Sequence, residues 1–144
     1  MEILNNKKAV EIGRLLGIDF GRKRVGIAMS DKDGKIAFPK AVYLNDKKLI
    51  KRIGDFCKEN SIDGIVLGES KNFKGEDNPL MKDILKFKSR LEDATSLLVF
   101  MEPEFMSSSE AEKMRAEGDD LEMLDASAAA VILQSYLNKK KNKG

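Results

Sequence analysis

Acidic residues occupy several positions in this sequence where a carboxylate needs a physical explanation. Asp19 interrupts the apolar stretch Leu15–Phe20, and a glycine and three consecutive cations follow it. A carboxylate in apolar surroundings is costly unless it is paired or coordinates a cation. Two interpretations are therefore open: Asp19 caps the following turn through the Gly21 amide, or it has a functional role.

A second acid, Asp125, lies on the apolar stripe of a predicted helix. At helical spacing this stripe contains Leu121, Leu124, Ala128, Ile132 and Ser135. Small alanine neighbours permit this helix to pack closely on a sheet. A carboxylate on such a packed face requires a positive partner, which is either a metal ion or a buried Lys or Arg.

The segment after the last predicted strand supplies two further acids, Glu102 and Glu104, and an ordinary loop charge is the alternative interpretation of each. Acids after an early strand, after a later strand and on the final helix can converge on one point. Converging carboxylates repel one another, so this arrangement is favourable chiefly when divalent metal ions neutralise them. Carboxylate-bound Mg²⁺ serves phosphoryl chemistry, because it lowers the pKa of a water and stabilises charge on the leaving oxygen.

Basic residues near the predicted acids fit a phosphate-containing substrate. Arg22, Lys23 and Arg24 form the turn after the first strand, and Lys71 and Lys74 lie in the loop after the fourth strand. Such side chains hold phosphates by charge and by fork-shaped hydrogen bonds. The alternative for each of them is a solvated surface charge.

The composition restricts the possible chemistry. The chain has 144 residues, 42% of them hydrophobic and 35% charged, and a net charge of +2. It contains no histidine, which excludes Ser-His-Asp and Cys-His catalysis and a His-rich zinc site. An enzyme of this composition must use carboxylates, lysines and hard metal ions.

Length and patterning predict one domain in a reducing compartment. Residues 1–13 are expected to form a leader, 14–138 a single domain, and 139–144 a basic tail. The single cysteine, Cys57, excludes an internal disulfide. The sequence shows neither a membrane-spanning run nor a signal peptide, so we expect a cytoplasmic protein with no membrane partner.

Hydrophobic periodicity predicts the element order β-β-β-α-β-α-β-α-α and a mixed sheet with helices packed on it. Strands are expected at 14–20, 25–30, 35–44, 62–68 and 96–101. Asn45 or Asp46 is predicted to cap the first helix, and Asn78-Pro79 to open the second. A short helix is predicted from Ser107, and the last helix from about 120 to 137.

Four motifs resemble those of the YqgF family of ribonuclease H-like proteins. The first and last motifs, "LLGIDFGRKRVGIAMSD" and "LDASAAAVILQSYL", are specific, whereas "IVLGESKNFKG" and "EFMSSSEAE" match more weakly. The resemblance implies an α/β ribonuclease H-like fold, with a five-stranded mixed sheet of three antiparallel and then two parallel strands and helices on both faces. It also implies metal-dependent nuclease chemistry.

Carried over by position, the resemblance assigns the catalytic acids to Asp19, Glu104 and Asp125, and its motif favours Glu104 over Glu102. Two Mg²⁺ or Mn²⁺ ions would be bridged by Asp19, with one ion each on Glu104 and Asp125. Glu69 stands where related resolvases place an acid, so it is a further candidate ligand.

The sequence departs from the family pattern around the third acid. The family commonly has Asp-Glu-Arg and two threonines, where this chain has Pro103-Glu104-Phe105 and then Ser107-Ser108. The family's phosphate-binding arginine is therefore absent. The fourth strand usually ends Gly-Leu-Pro, and here it ends Gly68-Glu69-Ser70.

The resemblance implies a nuclease acting on structured nucleic acid, with 5′-end processing of pre-16S rRNA in ribosome biogenesis as the leading hypothesis. The alternatives are a Holliday junction resolvase acting on branched DNA, and a non-catalytic RNA-binding or ribosome assembly factor. A monomer and a homodimer are both compatible with the sequence. The Asp19-x-Gly21 motif also resembles a phosphate loop of the actin-like ATPases and sugar kinases, but those proteins usually need two such domains.

Overall fold

A sheet of five strands forms the centre of the fold. The computed structural model describes residues 13–70, 79–104 and 121–143, with side chains for all of these except 104, 121–125 and 141–143. The strands are β1 (Leu15–Phe20), β2 (Arg24–Ser30), β3 (Ala37–Leu44), β4 (Gly64–Ser70) and β5 (Val99–Glu104). The helices are α1 (Leu49–Glu59), α2 (Leu80–Thr95) and α3 (Leu121–Lys143).

The strand order is β3-β2-β1-β4-β5. β1, β2 and β3 pair as antiparallel neighbours, whereas β4 is parallel to β1 and β5 is parallel to β4. This arrangement confirms the predicted mixed sheet of three antiparallel and then two parallel strands. The parallel strands β1, β4 and β5 therefore end at one common edge, which we call the carboxyl edge of the sheet.

Helices cover both faces of the sheet, as predicted. α1 and α2 pack on one face, where their core residues join Leu16, Ile18, Ile65 and Leu67. Of the described helices, α3 packs on the other face, against a smaller cluster that includes Leu15 and Val66. Because β1 is buried on both faces, its sequence is almost continuously apolar. Within the described parts of the chain, no helix combines the length and the apolar character needed to cross a membrane.

Two glycines allow α3 to approach the sheet closely. A Cβ added at Gly17 would lie 2.7 Å from Leu133 Cβ and 2.9 Å from the carbonyl oxygen of Ala129. A Cβ added at Gly68 would lie 2.6 Å from Ile132 Cδ1. The backbone of β1 and the backbone of the helix are therefore in direct contact at Gly17.

Several boundaries differ from those predicted. β5 was expected at 96–101 but spans Val99–Glu104. It begins late because Ser96, in a left-handed conformation (φ 59°), ends α2, and it continues to Glu104 because Pro103 and Glu104 pair with β4. β3 begins at Ala37 rather than residue 35. α3 continues to Lys143, so most of the predicted basic tail belongs to this helix. The predicted leader up to residue 12 and the short helix from Ser107 lie outside the described residues.

The predicted capping residues have other roles. The N-cap position of α1 is Lys48, which makes no side-chain capping bond, while Asp46 Oδ1 accepts the Lys48 N–H at 2.9 Å. The Asn45 side chain is used elsewhere, at the basic turn after β1. Pro79 is the N-cap of α2 and its side chain makes no capping bond; Asn78 lies outside the described residues.

Replacing Gly17 by alanine should destabilise the fold by about 1–3 kcal/mol, because the new methyl group would overlap α3. Gly54→Ala is the matched control: it lies within α1, and an added Cβ there meets no atom within 4 Å. This control should stabilise the protein by about 0.5–1 kcal/mol, since alanine is the better helix former. Urea unfolding measures both changes. An unchanged stability of Gly17→Ala would contradict the described packing of α3 on β1.

Candidate metal centre and nucleic-acid interface

Asp19 lies near the carboxyl edge of the sheet, one residue before β1 ends. It is half-buried and pairs with Gly26 of β2 in the antiparallel register. Alternation along the strand assigns Asp19 to the face of Leu15 and Gly17, which α3 covers. The first predicted acid is therefore at the end of a central strand, beneath the last helix.

The direction of α3 determines which of its residues approach Asp19. Ala129 lies over Gly17, and Leu137 lies beside Gly34, whose backbone adjoins the Gly13 carbonyl just before β1. The helix therefore runs antiparallel to β1. Its first half points toward the carboxyl edge of the sheet.

This direction brings the backbone of Asp125 toward the end of the sheet where Asp19 lies. Asp125 precedes Ala129 by four residues, which rise about 6 Å along a helix. Asp19 follows Gly17 by two residues, which span about 6.6 Å along a strand. Because the Gly17 position meets both Ala129 and Leu133, these steps place the backbone of Asp125 toward the same end of the sheet as Asp19.

Glu104 is the last residue of β5 and pairs with Ser70 of β4. It therefore lies at the same carboxyl edge as Asp19, with β4 between the two strands. The backbone thus brings all three predicted acids to one end of the sheet. The side chains of Glu104 and Asp125 lie outside the description, so their role as ligands stays a prediction.

Glu102, the alternative third acid, is a buried carboxylate paired with an exposed lysine. Its side chain is only 2% exposed, and Oε2 accepts hydrogen bonds from Ser135 Oγ at 2.8 Å and Lys139 Nζ at 2.7 Å. The interpretation of Glu102 as a loop charge was therefore wrong. Ile132 lies over Gly68, the β4 partner of Glu102. It therefore stands between the Glu102–Lys139 pair at β5 and Asp19 on β1.

Glu69 is in β4 and pairs with Pro103 of β5. Ile65 and Leu67, which lie four and two residues before Glu69 and so on the same face of β4, belong to the core under α1 and α2. Strand alternation therefore assigns Glu69 to the face opposite Asp19. The geometry favours Glu104 over Glu69 as a companion of Asp19.

The donor set fits a hard divalent cation. Carboxylate oxygens are the ligands that Mg²⁺ and Mn²⁺ prefer, and the chain contains no histidine. Cys57 is an unsuitable ligand, because burial raises the pKa of its thiol to about 11. Among the residues whose side chains are described, no three His, Cys, Asp or Glu come together as a metal site.

The basic turn after β1 is held in place by Asn45, whose role the sequence analysis missed. Asn45 Nδ2 donates to the Gly21 carbonyl at 2.7 Å, and the Asn45 N–H donates to the Lys23 carbonyl at 2.9 Å. Arg22 and Lys23 are exposed in this turn, while Arg24 is half-buried at the start of β2. The predicted phosphate-binding residues Lys71 and Lys74 lie outside the described part of the chain.

Comparison with known proteins identifies the family. The family model described as RuvX, Holliday junction resolvase, matches residues 13–139. The chain belongs to the RuvX family. This confirms the family (YqgF) predicted from the motifs, and it makes the chain a member of a nuclease family.

Curated relatives cover nearly the whole chain. A protein from Thermoanaerobacter pseudethanolicus named "Putative pre-16S rRNA nuclease" is 32% identical over 138 residues, which is 90% of this chain and 99% of that protein. A protein of the same name from a Geobacillus species is 35% identical over 136 residues, covering 88% and 99%.

Solved structures confirm the ribonuclease H-like fold. Thermus thermophilus RuvC matches with a TM-score of 0.58 at 13% identity, over 90% of this chain and 96% of that chain. The same protein in complex with Holliday junction substrate matches with a TM-score of 0.55 at 10% identity, over the same shares. At these identities the likeness concerns the fold alone.

Lys139→Met should destabilise the protein by about 1–3 kcal/mol, because it removes a partner from a buried carboxylate. Lys82→Met is the control, since Lys82 is exposed on α2, and it should change stability by less than about 0.5 kcal/mol. Chemical denaturation compares the two variants. Equal stabilities would mean that the Lys139–Glu102 pair does not hold the end of α3 on β5.

Proposed function

We propose that this protein is a divalent-metal-dependent nuclease that hydrolyses phosphodiester bonds in structured nucleic acid. The observation that supports this proposal most is the antiparallel packing of α3 on β1 at Gly17, which directs the backbone of Asp125 toward the edge where Asp19 lies. Glu104 ends its strand at the same edge. A set of acids drawn from three distant segments is favourable where a cation neutralises their mutual repulsion.

Asp19, Glu104 and Asp125 would hold the cations, and two Mg²⁺ or Mn²⁺ ions are the proposed cofactors. Bound there, they supply an activated water and stabilise the negative charge of the leaving oxygen. The protein's own contribution is to keep the acids at one edge and to present Arg22 and Lys23 in the turn that crosses this edge. Asn45 keeps the side chains of the turn in place, because it donates hydrogen bonds to two of the turn's carbonyl groups.

The proposed substrate is the 5′ end of pre-16S rRNA, and this choice is supported by the names of the curated relatives. A function in rRNA maturation would act in the cytoplasm. A four-way DNA junction is the second candidate, supported by the description of the family model. Symmetric cleavage of a junction would favour a homodimer, whereas processing of a single RNA end is compatible with a monomer.

A non-catalytic role in ribosome assembly is the third candidate, since Phe105 stands where the family commonly has arginine. Metal binding separates this candidate from the nuclease. A degenerate site should bind Mn²⁺ weakly or at one position only, as isothermal titration would show.

The nuclease proposal predicts metal-dependent cleavage that requires Asp19. The protein should be incubated with a pre-16S rRNA transcript and with a synthetic four-way junction, each with Mn²⁺, with Mg²⁺ and with EDTA. Asp19→Asn should lower the rate of cleavage by at least about 100-fold, since several kcal/mol of transition-state stabilisation is lost. Cleavage at the wild-type rate by a folded Asp19→Asn protein would exclude the mechanism.

Glu104→Gln and Glu102→Gln form a matched pair that tests the third acid. Glu104→Gln should lose cleavage as Asp19→Asn does, whereas Glu102→Gln should retain it and lose stability instead, because Glu102 is paired with Lys139. Thermal unfolding checks that the variants are folded. The opposite result, loss of cleavage only in a folded Glu102→Gln protein, would assign the third ligand to Glu102.

A further inference from the structure

A cleft of about 570 Å³ opens between the basic turn and α2, on the face of the sheet opposite α3. Among the described residues, its charged lining consists of Arg22 from the turn and Asp83, Lys86 and Arg90 from the helix. All four residues are exposed. Three cations against one acid give the described part of this lining a positive charge, although the whole chain carries only +2.

The spacing of the cations on α2 is unfavourable without an anionic partner. Lys86 and Arg90 are separated by four residues and therefore neighbour each other on the helix, where like charges repel. Among the described residues, no carboxylate forms an ion pair with either of them. The acid in the cleft, Asp83, lies 3.8 Å from Arg22 instead. Two adjacent cations without carboxylate partners are suited to bind an anion from outside the chain.

The position of the cleft connects it with the proposed cleavage centre. Phe20 lines the cleft, and it follows Asp19 directly in β1. Its ring is half-buried and packs against Phe87 of α2 with 4.8 Å between the ring centroids. Arg22 belongs to the turn that crosses the carboxyl edge of the sheet. A chain of phosphates in the cleft would therefore lead over this turn to the acids beneath α3.

We propose that this cleft, defined by Arg22, Lys86 and Arg90, binds the phosphodiester backbone of the substrate strand on one side of the cleavage centre. The proposal rests on the proposed function, because it takes a nucleic acid as the substrate. Guanidinium groups match phosphate oxygens in geometry, and an aromatic ring beside cations suits a strand whose bases are unpaired. The segment bound in the cleft is therefore single-stranded.

Binding can be measured without catalysis, by fluorescence anisotropy of labelled oligouridine in EDTA. The Lys86→Glu/Arg90→Glu variant should raise Kd at least about tenfold, and the slope of log K against log salt should fall by about 0.7 for each lost phosphate contact. Lys32→Glu/Lys58→Glu is the matched control. It changes the net charge equally but lies away from the cleft, beside the β2–β3 turn and at the end of α1. The control should raise Kd less than about threefold.

Asp83→Asn provides a test of opposite sign. Removing the acid of the cleft releases Arg22, so Kd for oligouridine should fall by about 2–5-fold. A purely structural role of Asp83 would not tighten binding. This variant also keeps the proposal testable if the double charge reversal does not fold, as judged by its thermal unfolding.

Three results would overturn the proposal. The first is a cleft variant that binds like the wild type, and the second is a control that loses as much affinity as the cleft variant. The third is displacement of oligouridine by polyglutamate at equal charge concentration, which would indicate an acidic protein as the partner. None of these results depends on Asp19, so Mn²⁺-dependent cleavage that is lost in Asp19→Asn would still support the proposed function.

Discussion

The contact between α3 and the two central parallel strands is the constraint on which the site depends. Gly17 lets the helix backbone reach the backbone of β1, and Gly68 accommodates Ile132 over β4. The ion pair of Lys139 with Glu102 anchors the later turns on β5. Because three strands hold the helix at different points along its length, α3 has little freedom to slide. These contacts therefore determine where Asp125 lies along the direction of the strands, although they are at least one helical turn away from it.

The sequence predicts the strands of the sheet well because each strand is marked by a pattern within its own few residues. β1 and β4 are short apolar runs, and buried central strands require such runs. The family motifs then supply the strand order, which no local pattern contains. The end of β5 was missed for a different reason. Glu102, Pro103 and Glu104 suggest a loop, and the partner that makes a buried Glu102 acceptable, Lys139, is 37 residues away.

The same limitation explains the errors at the candidate site. Asn45 precedes a helix, so its residue type and position suggest a helix cap. Its side-chain amide instead donates a hydrogen bond to a carbonyl 24 residues earlier. Lys86 and Arg90 resemble the solvated face of an ordinary amphipathic helix. Only the fold shows that this face borders the turn after β1. Asp19 and Asp125 were identified from sequence because each interrupts an apolar pattern, and such an interruption is a local signal.

Asp19 and the cations of the cleft lie on opposite faces of the sheet, near the same edge. By strand alternation Asp19 belongs to the face under α3, whereas the cations of the cleft lie on the side of α2. The sheet keeps the charges of the cleft apart from the acids. Carboxylates are suited to hold metal ions and cations are suited to hold phosphates, so under the proposed function a strand crossing the edge would meet both.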